Sequence, residues 1–161
     1  MKISVLYHSE SGNTKKIADL IKETAESLPG IEAKSMDIEQ LDKPFIEESR
    51  AVLFGCPTYC GTTSWQMKRY LDTTDNKLAG KLGGAFATEN HIGGGADFAE
   101  LTMIAGMLVR GMIVYSGGAA ETPFTHFGAV AIKAGDDSQL ERAKKYALKM
   151  VNKAKELFPD R

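Results

Sequence analysis

The sequence predicts a doubly wound α/β fold: a five-stranded parallel sheet in the order 2-1-3-4-5, with helices on both faces. Two observations predict it. Short apolar runs alternate with helical patterns over the whole length, which closes only through right-handed crossovers. The run Ala51–Cys56 is apolar without interruption, as a strand buried on both faces must be. In such a sheet ligands bind beyond the carboxyl ends of the strands, at the switch between the first and third.

Each element follows from its local pattern. Residues 2–8, KISVLYH, are β-branched and aromatic and are bounded by SESGN, hence the first strand. Ile17, Leu20, Ile21, Thr24 and Leu28 recur at helical spacing over 14–28, and Pro29-Gly30 ends that helix. Residues 31–37 alternate weakly, as an edge strand does, and a short helical stretch follows around Leu41–Glu48. Ala51–Cys56 is the third strand, and Ser64–Leu71 opens a helix with Trp65, Met67, Lys68 and Leu71. LGGAFA at 82–87 is the fourth strand. Asp97–Arg110 is a helix expected to bury Phe98, Leu101, Ile104, Ala105, Leu108 and Val109 on one face. MIVYS at 112–116 is the fifth strand, and GAVAIKAG at 128–135 resumes a strand pattern. Gln139–Phe158 closes the chain as a long amphipathic helix.

Length and composition narrow the function. The 161 residues fit a single domain, 1–161, with no linker or repeat. With 20 basic and 21 acidic residues the net charge is −1, which gives no global field for nucleic acid or an anionic membrane. No apolar run approaches the ~18 residues of a membrane span, and the N-terminus turns polar after Tyr7, so a cytoplasmic protein is expected. Cys56 and Cys60 are too few for a disulfide framework and, without a histidine pair beside them, for a zinc site.

The three loops at the switch carry the chemistry. The first is Ser9-Glu10-Ser11-Gly12-Asn13-Thr14, leading straight into a helix. Unpaired N–H groups at a helix start, joined by hydroxyl and amide donors, cradle a phosphate, or else serve only as an ordinary N-cap. The lysine of a P-loop and the G-x-G-x-x-G of a dinucleotide fold are both missing, and no Lys or Arg occurs until Lys15. An uncharged cradle suits a cofactor monophosphate. The second loop, Pro57-Thr58-Tyr59-Cys60-Gly61-Thr62-Thr63, can lay Tyr59 against a flat ring while peptide groups bond its polar edge. The third, Thr88-Glu89-Asn90-His91-Ile92-Gly93-Gly94-Gly95, has the glycines for close backbone approach.

These segments resemble a known family. YHSESGNTKKIADLI is similar to the phosphate loop of flavodoxin-like proteins, commonly T/S-x-T/S-G-N-T. CPTYCGTTSWQMKRYLD resembles the second flavin loop of the NAD(P)H:quinone oxidoreductase branch, typified by the tryptophan-repressor-binding-protein family with P-T-R-F-G-N-M. FATENHIGGGADFAELTMIAGMLVRGMIV and THFGAVAIKAG are similar to that branch's third loop with its helix and to its P-Y-G-A-x-x-I-A-G segment. The resemblance implies FMN, with Ser9–Thr14 on its phosphate and Pro57–Thr62 with Thr88–Gly93 on its ring. The chain departs from the branch where Tyr59-Cys60 replaces Arg-Phe and Arg110 replaces a histidine, and in a shorter stretch from Gly117 to Phe124.

The expected function is therefore an FMN-dependent oxidoreductase passing electrons from NAD(P)H to a quinone or similar small acceptor. The alternative is a flavodoxin-type carrier that docks to redox protein partners. Carriers of this kind are usually strongly acidic, which the net charge of −1 does not match. Among the remaining candidates, His8 is expected beneath the first loop. His91 either reaches the ring or substrate or is solvated, and His126 is a substrate candidate over the same sheet end. Cys56 is expected in the core. Trp65, Met67, Met103 and Met107 are expected there too, with a homo-oligomer interface as the next option.

Overall fold

The computed structural model describes residues 1–159. Strands β1 (Lys2–Tyr7), β2 (Glu32–Asp37), β3 (Ala51–Tyr59) and β5 (Leu82–Glu89) form a parallel sheet. Beyond β5 lie β6 (Ile113–Val114) and β7 (Gly128–Ile132), also parallel. A two-residue strand, β4 (Thr62–Thr63), folds back antiparallel on β3. The order β2-β1-β3-β5-β6 is the expected 2-1-3-4-5 with the extra hairpin strand counted.

The fifth position is made of two segments. β6 pairs with Leu82 and Gly83, whereas β7 pairs with Ala85–Glu89. The chain from Tyr115 to Phe127 leaves and re-enters the same row. The expected strand over 112–116 is thus shortened, and the pattern resuming at Gly128 is its continuation.

Among the described residues five helices cover the sheet: α1 (Asn13–Glu26), α2 (Lys43–Glu48), α3 (Trp65–Thr73), α4 (Ala96–Val109) and α5 (Asp137–Leu157). Alternation along β1 sends Ile3, Val5 and Tyr7 to one face, under α1 and α5, and Leu6 to the other, under α2, α3 and α4. Each face carries its own apolar layer. Among the described residues, no helix is long and apolar enough to cross a membrane.

Helix capping differs around the sheet. Asp42, Ser64 and Asp136 cap α2, α3 and α5 with their own side chains, Asp136 in a reciprocal capping box with Gln139. α1 and α4 start instead from Gly12 and Gly95, both with positive φ and with no side chain of their own to cap the helix.

Two packing expectations are corrected. α4 buries Ala96, Ala99, Glu100, Met103 and Met107, and turns Phe98, Leu101, Ala105, Leu108 and Val109 to the outside. Its close approach to β5 decides this: a Cβ on Gly83 would lie 2.6 Å from Met107 Sδ, so small residues and flexible methionines take the sheet side. Trp65 is also exposed, at the start of α3 with Arg69 over its ring at 5.3 Å. Met67, Met103 and Met107 are in the core as expected.

Candidate functional site

The carboxyl ends of β1, β3 and β5 frame a cavity of about 250 Å³. From the first loop Ser9, Glu10, Ser11, Asn13 and Thr14 line it; Pro57, Thr58 and Tyr59 come from the second, and Thr88, Glu89 and Asn90 from the third. The remaining expected residues stand outside this lining. Gly12 faces a neighbouring groove along α1. Cys60, Gly61 and Thr62 form the exposed tip of the β3–β4 hairpin, and His91 and Gly93 are exposed on the third loop.

Hydroxyl groups lock the three loops together at their base. Thr14 Oγ1 and Thr88 Oγ1 lie 2.7 Å apart and are buried. Thr58 Oγ1 donates to the Thr88 carbonyl at 3.0 Å. One residue of the third loop, Thr88, therefore fixes the other two, the first through its hydroxyl and the second through its carbonyl. The backbone donors at the α1 terminus stand above this base, and no side chain caps them. With the helix dipole they are a ready site for an anion.

Lys133, missed by the sequence reading, also lines the cavity. It follows β7 with a φ of +52°, and its N–H bonds to the Glu89 carbonyl at 2.7 Å. The first loop itself carries no cation, and Lys133 brings one to the cavity from the far end of the chain. A residue just past a strand pattern on the binding side of the sheet was the available signal.

The two glutamates have other duties than meeting an anion. Glu10 Oε1 accepts from Gln66 Nε2 at 3.0 Å and lies 3.8 Å from His8 Nε2. Glu89 Oε2 accepts from the N–H of Ala96 at 3.1 Å and serves the free terminus of α4. His8 is buried beneath the loop, as expected, with its ring edge-on to Tyr59 at 6.5 Å. Burial, and then the neighbouring Glu10, push the Tyr59 hydroxyl above its ordinary value.

The second loop is a tight hairpin, a pairing its residue types do not announce. Tyr59 pairs with Thr62, and the two residues between, Cys60 and Gly61, have φ of +47° and +79°. Two consecutive positive φ angles make a type I′ turn, which suits glycine and strains cysteine. The third loop closes against this tip at Gly95. Cys56 is buried, and its thiol lies 2.9 Å from Thr63 Oγ1; Cys60 is exposed.

Three further residues are settled by their contacts. The Arg110 guanidinium donates to the carbonyls of Leu71 at 2.8 and 2.6 Å and of Thr74 at 2.9 Å. It clamps the C-terminus of α3 and stands outside the cavity. His126 is exposed beside Phe127, also outside it. Glu100 is buried on the sheet side of α4 with Oε1 unpartnered, and burial, then Asp97 and Glu89, hold its carboxyl well above the usual range. A larger groove, about 740 Å³, runs between α3 and α4, away from all three loops.

The sequence pattern of the flavodoxin family matches residues 5–101, more than half of the chain. A flavodoxin of Clostridium saccharobutylicum is 43% identical over 160 residues, covering 98% of this chain and 100% of that protein. An Archaeoglobus fulgidus protein named NAD(P)H dehydrogenase (quinone) is 26% identical, over 97% of this chain and 98% of its own. Among solved structures, a flavodoxin, WrbA-like protein from Agrobacterium tumefaciens superposes with a TM-score of 0.83 at 23% identity, over 98% of this chain and 99% of that one. The fold, the loop cluster at the sheet's switch point and the full-length similarity agree, and the chain belongs to the FMN-binding flavodoxin family.

Proposed function

We propose that this chain is a flavodoxin-type electron carrier that holds FMN in the cavity at the ends of β1, β3 and β5. The carrying observation is the 43% identity to a flavodoxin over the full length of both proteins. The reductase expected from the sequence has weaker support. The quinone dehydrogenase relative is 26% identical, and its alignment runs over 188 positions against a chain of 161, so it carries segments absent here. Arg110, which stands where the quinone oxidoreductase branch has a histidine, holds α3 and lies outside the cavity.

The residues present fit the cofactor. The uncapped α1 terminus, with Ser9, Ser11 and Asn13 around it and Lys133 across the cavity, matches a phosphate monoester in charge and donor type. Glu10 and Glu89 accept from Gln66 and from the Ala96 N–H, which fixes where their carboxylates stand. At 250 Å³ the cavity is smaller than the ~300–1,000 Å³ of whole-ligand pockets, which fits a phosphate and its chain. Tyr59, the Cys60-Gly61 turn and the Asn90–Gly93 segment, at the rim of the cavity, are the residues that would hold the ring. Bound FMN supplies the redox chemistry by taking up and releasing one or two electrons. The loops orient the ring and shield it, and Tyr59, braced by His8, offers it an aromatic face.

The test uses FMN-loaded protein. A carrier shows two separated one-electron steps in a redox titration, and NADH or NADPH reduces its flavin no faster than free FMN. A single two-electron step, with rapid reduction by NADPH and turnover with benzoquinone, overturns the carrier in favour of the reductase.

A further inference from the structure

Glu10 stands where charge alone disfavours it. It lies in the first loop, beside a terminus of α1 suited to an anion, so its carboxylate repels the phosphate proposed above. A carboxylate that works against affinity needs another use, and its neighbours point to one.

Three elements converge on it. Gln66, buried in the first turn of α3, donates from Nε2 to Glu10 Oε1 at 3.0 Å. His8, buried just past β1, brings Nε2 to 3.8 Å from the same oxygen. Tyr59, at the end of β3, sets its ring edge-on to His8 at 6.5 Å, and its hydroxyl stands beside the Glu10 carboxylate. The cluster is costly in stability. Nδ1 and Nε2 of His8 and Oε1 of Gln66 are buried without a hydrogen-bond partner among the described residues, and such atoms are rare in a native interior. Apolar side chains at positions 8 and 66 would pack there without that loss. The polar ones are accounted for by the carboxylate they hold.

Held in this way, Glu10 acts on the ring of Tyr59. A phenol hydroxyl beside a carboxylate is polarised toward the phenolate, and the π face of its ring becomes more negative. A flavin ring gains negative charge when electrons arrive, so a more negative face next to it disfavours the reduced form.

We propose that Glu10, positioned by Gln66 and His8, lowers the potential at which the bound cofactor accepts electrons, and that it acts chiefly through Tyr59. This rests on the FMN site proposed above, with Tyr59 at its rim. Gln66 is then a positioning residue two side chains removed from the flavin.

Redox titration of the FMN-loaded protein and its variants tests this, with flavin fluorescence titration of the same proteins alongside. Glu10→Gln keeps the shape and removes the charge. The midpoint potential should shift upward, and affinity for reduced over oxidised FMN should rise by roughly threefold or more. Tyr59→Phe should also shift the potential upward. In that background Glu10→Gln should add little, because the route through the hydroxyl is already gone. Gln66→Leu, which releases the carboxylate, should shift the potential in the same direction and have no further effect in the Glu10→Gln background. Where Gln66→Leu loses its fold, Gln66→Met makes the same cycle. A wild-type chain that binds no FMN overturns the cofactor site and this inference with it. Bound FMN whose potential is unmoved by Glu10→Gln overturns the inference alone. So do additive shifts from Glu10→Gln and Tyr59→Phe, or a Gln66→Leu shift that persists without the Glu10 carboxylate.

Discussion

Gly95 and Gly61 approach so closely that a Cβ on Gly95 would lie 2.5 Å from the Gly61 carbonyl oxygen. The third loop thus closes on the tip of the β3–β4 hairpin, backbone against backbone. Gly95 also has a φ of +102°, where an L side chain is strained. Gly95→Ala should push the two loops apart, lowering stability and FMN affinity together. Gly93 has a φ of +78° but open space around it, so Gly93→Ala should incur only the roughly 1–2 kcal/mol of left-handed backbone. Urea unfolding and flavin titration compare the two. Equal losses would show that the loop contact carries no energy.

The Thr14–Thr88 hydroxyl pair is the base on which the loops stand. Thr14→Val keeps the shape and strands the Thr88 hydroxyl in a buried place. The expected loss is about 1–3 kcal/mol of stability with weaker FMN binding. Thr14→Ser should restore most of both.

Lys133 is the cation contributed to the cradle, and it is exposed. Lys133→Gln should weaken FMN binding by about tenfold, the low end for one charge-assisted bond. Wild-type affinity should fall as salt rises, and the variant should show a shallower dependence. Fluorescence titration at two ionic strengths reads both effects.

Glu100 makes stability depend on pH. Its folded pKa is raised above the ~4.3 of an unfolded glutamate. Below that value both states are protonated and its contribution is fully present. As pH rises, the native state keeps a proton that the unfolded chain releases, so stability falls until the folded pKa is passed. Glu100→Gln should remove this part of the slope, leaving a flatter unfolding midpoint as pH rises above the ordinary glutamate range. An unchanged slope would place the pH dependence elsewhere.

The two thiols should differ sharply. Cys60 is exposed in the strained turn, whereas Cys56 is buried and burial pushes its thiol up. One thiol should react rapidly with a disulfide reagent in the native protein, and the second only on unfolding. Cys60→Asn, which tolerates a positive φ, should raise the unfolding midpoint and abolish the rapid phase.

The sequence by itself determined the order of the elements and the three loops that meet at the switch point. Both follow from local causes: period-2 and helical patterns mark each element, and right-handed crossovers then leave one sheet order and one end for a ligand. His8 under the first loop and Cys56 in the core were legible for the same reason, since each adjoins a strand whose burial is plain. Tertiary structure decided the rest. α4 is apolar on both sides, so periodicity could not choose its buried face; the missing Cβ of Gly83 did, by admitting Met107. The β3–β4 turn escaped because Cys60 carries a positive φ that its residue type does not advertise. Arg110 became a clamp because α3 presents unpaired carbonyls within its reach. Lys133 borders the cavity because β7 pairs with β5, a contact between segments far apart in the chain. Local patterns fix what each segment is, whereas close approach between distant segments fixes which side chains meet.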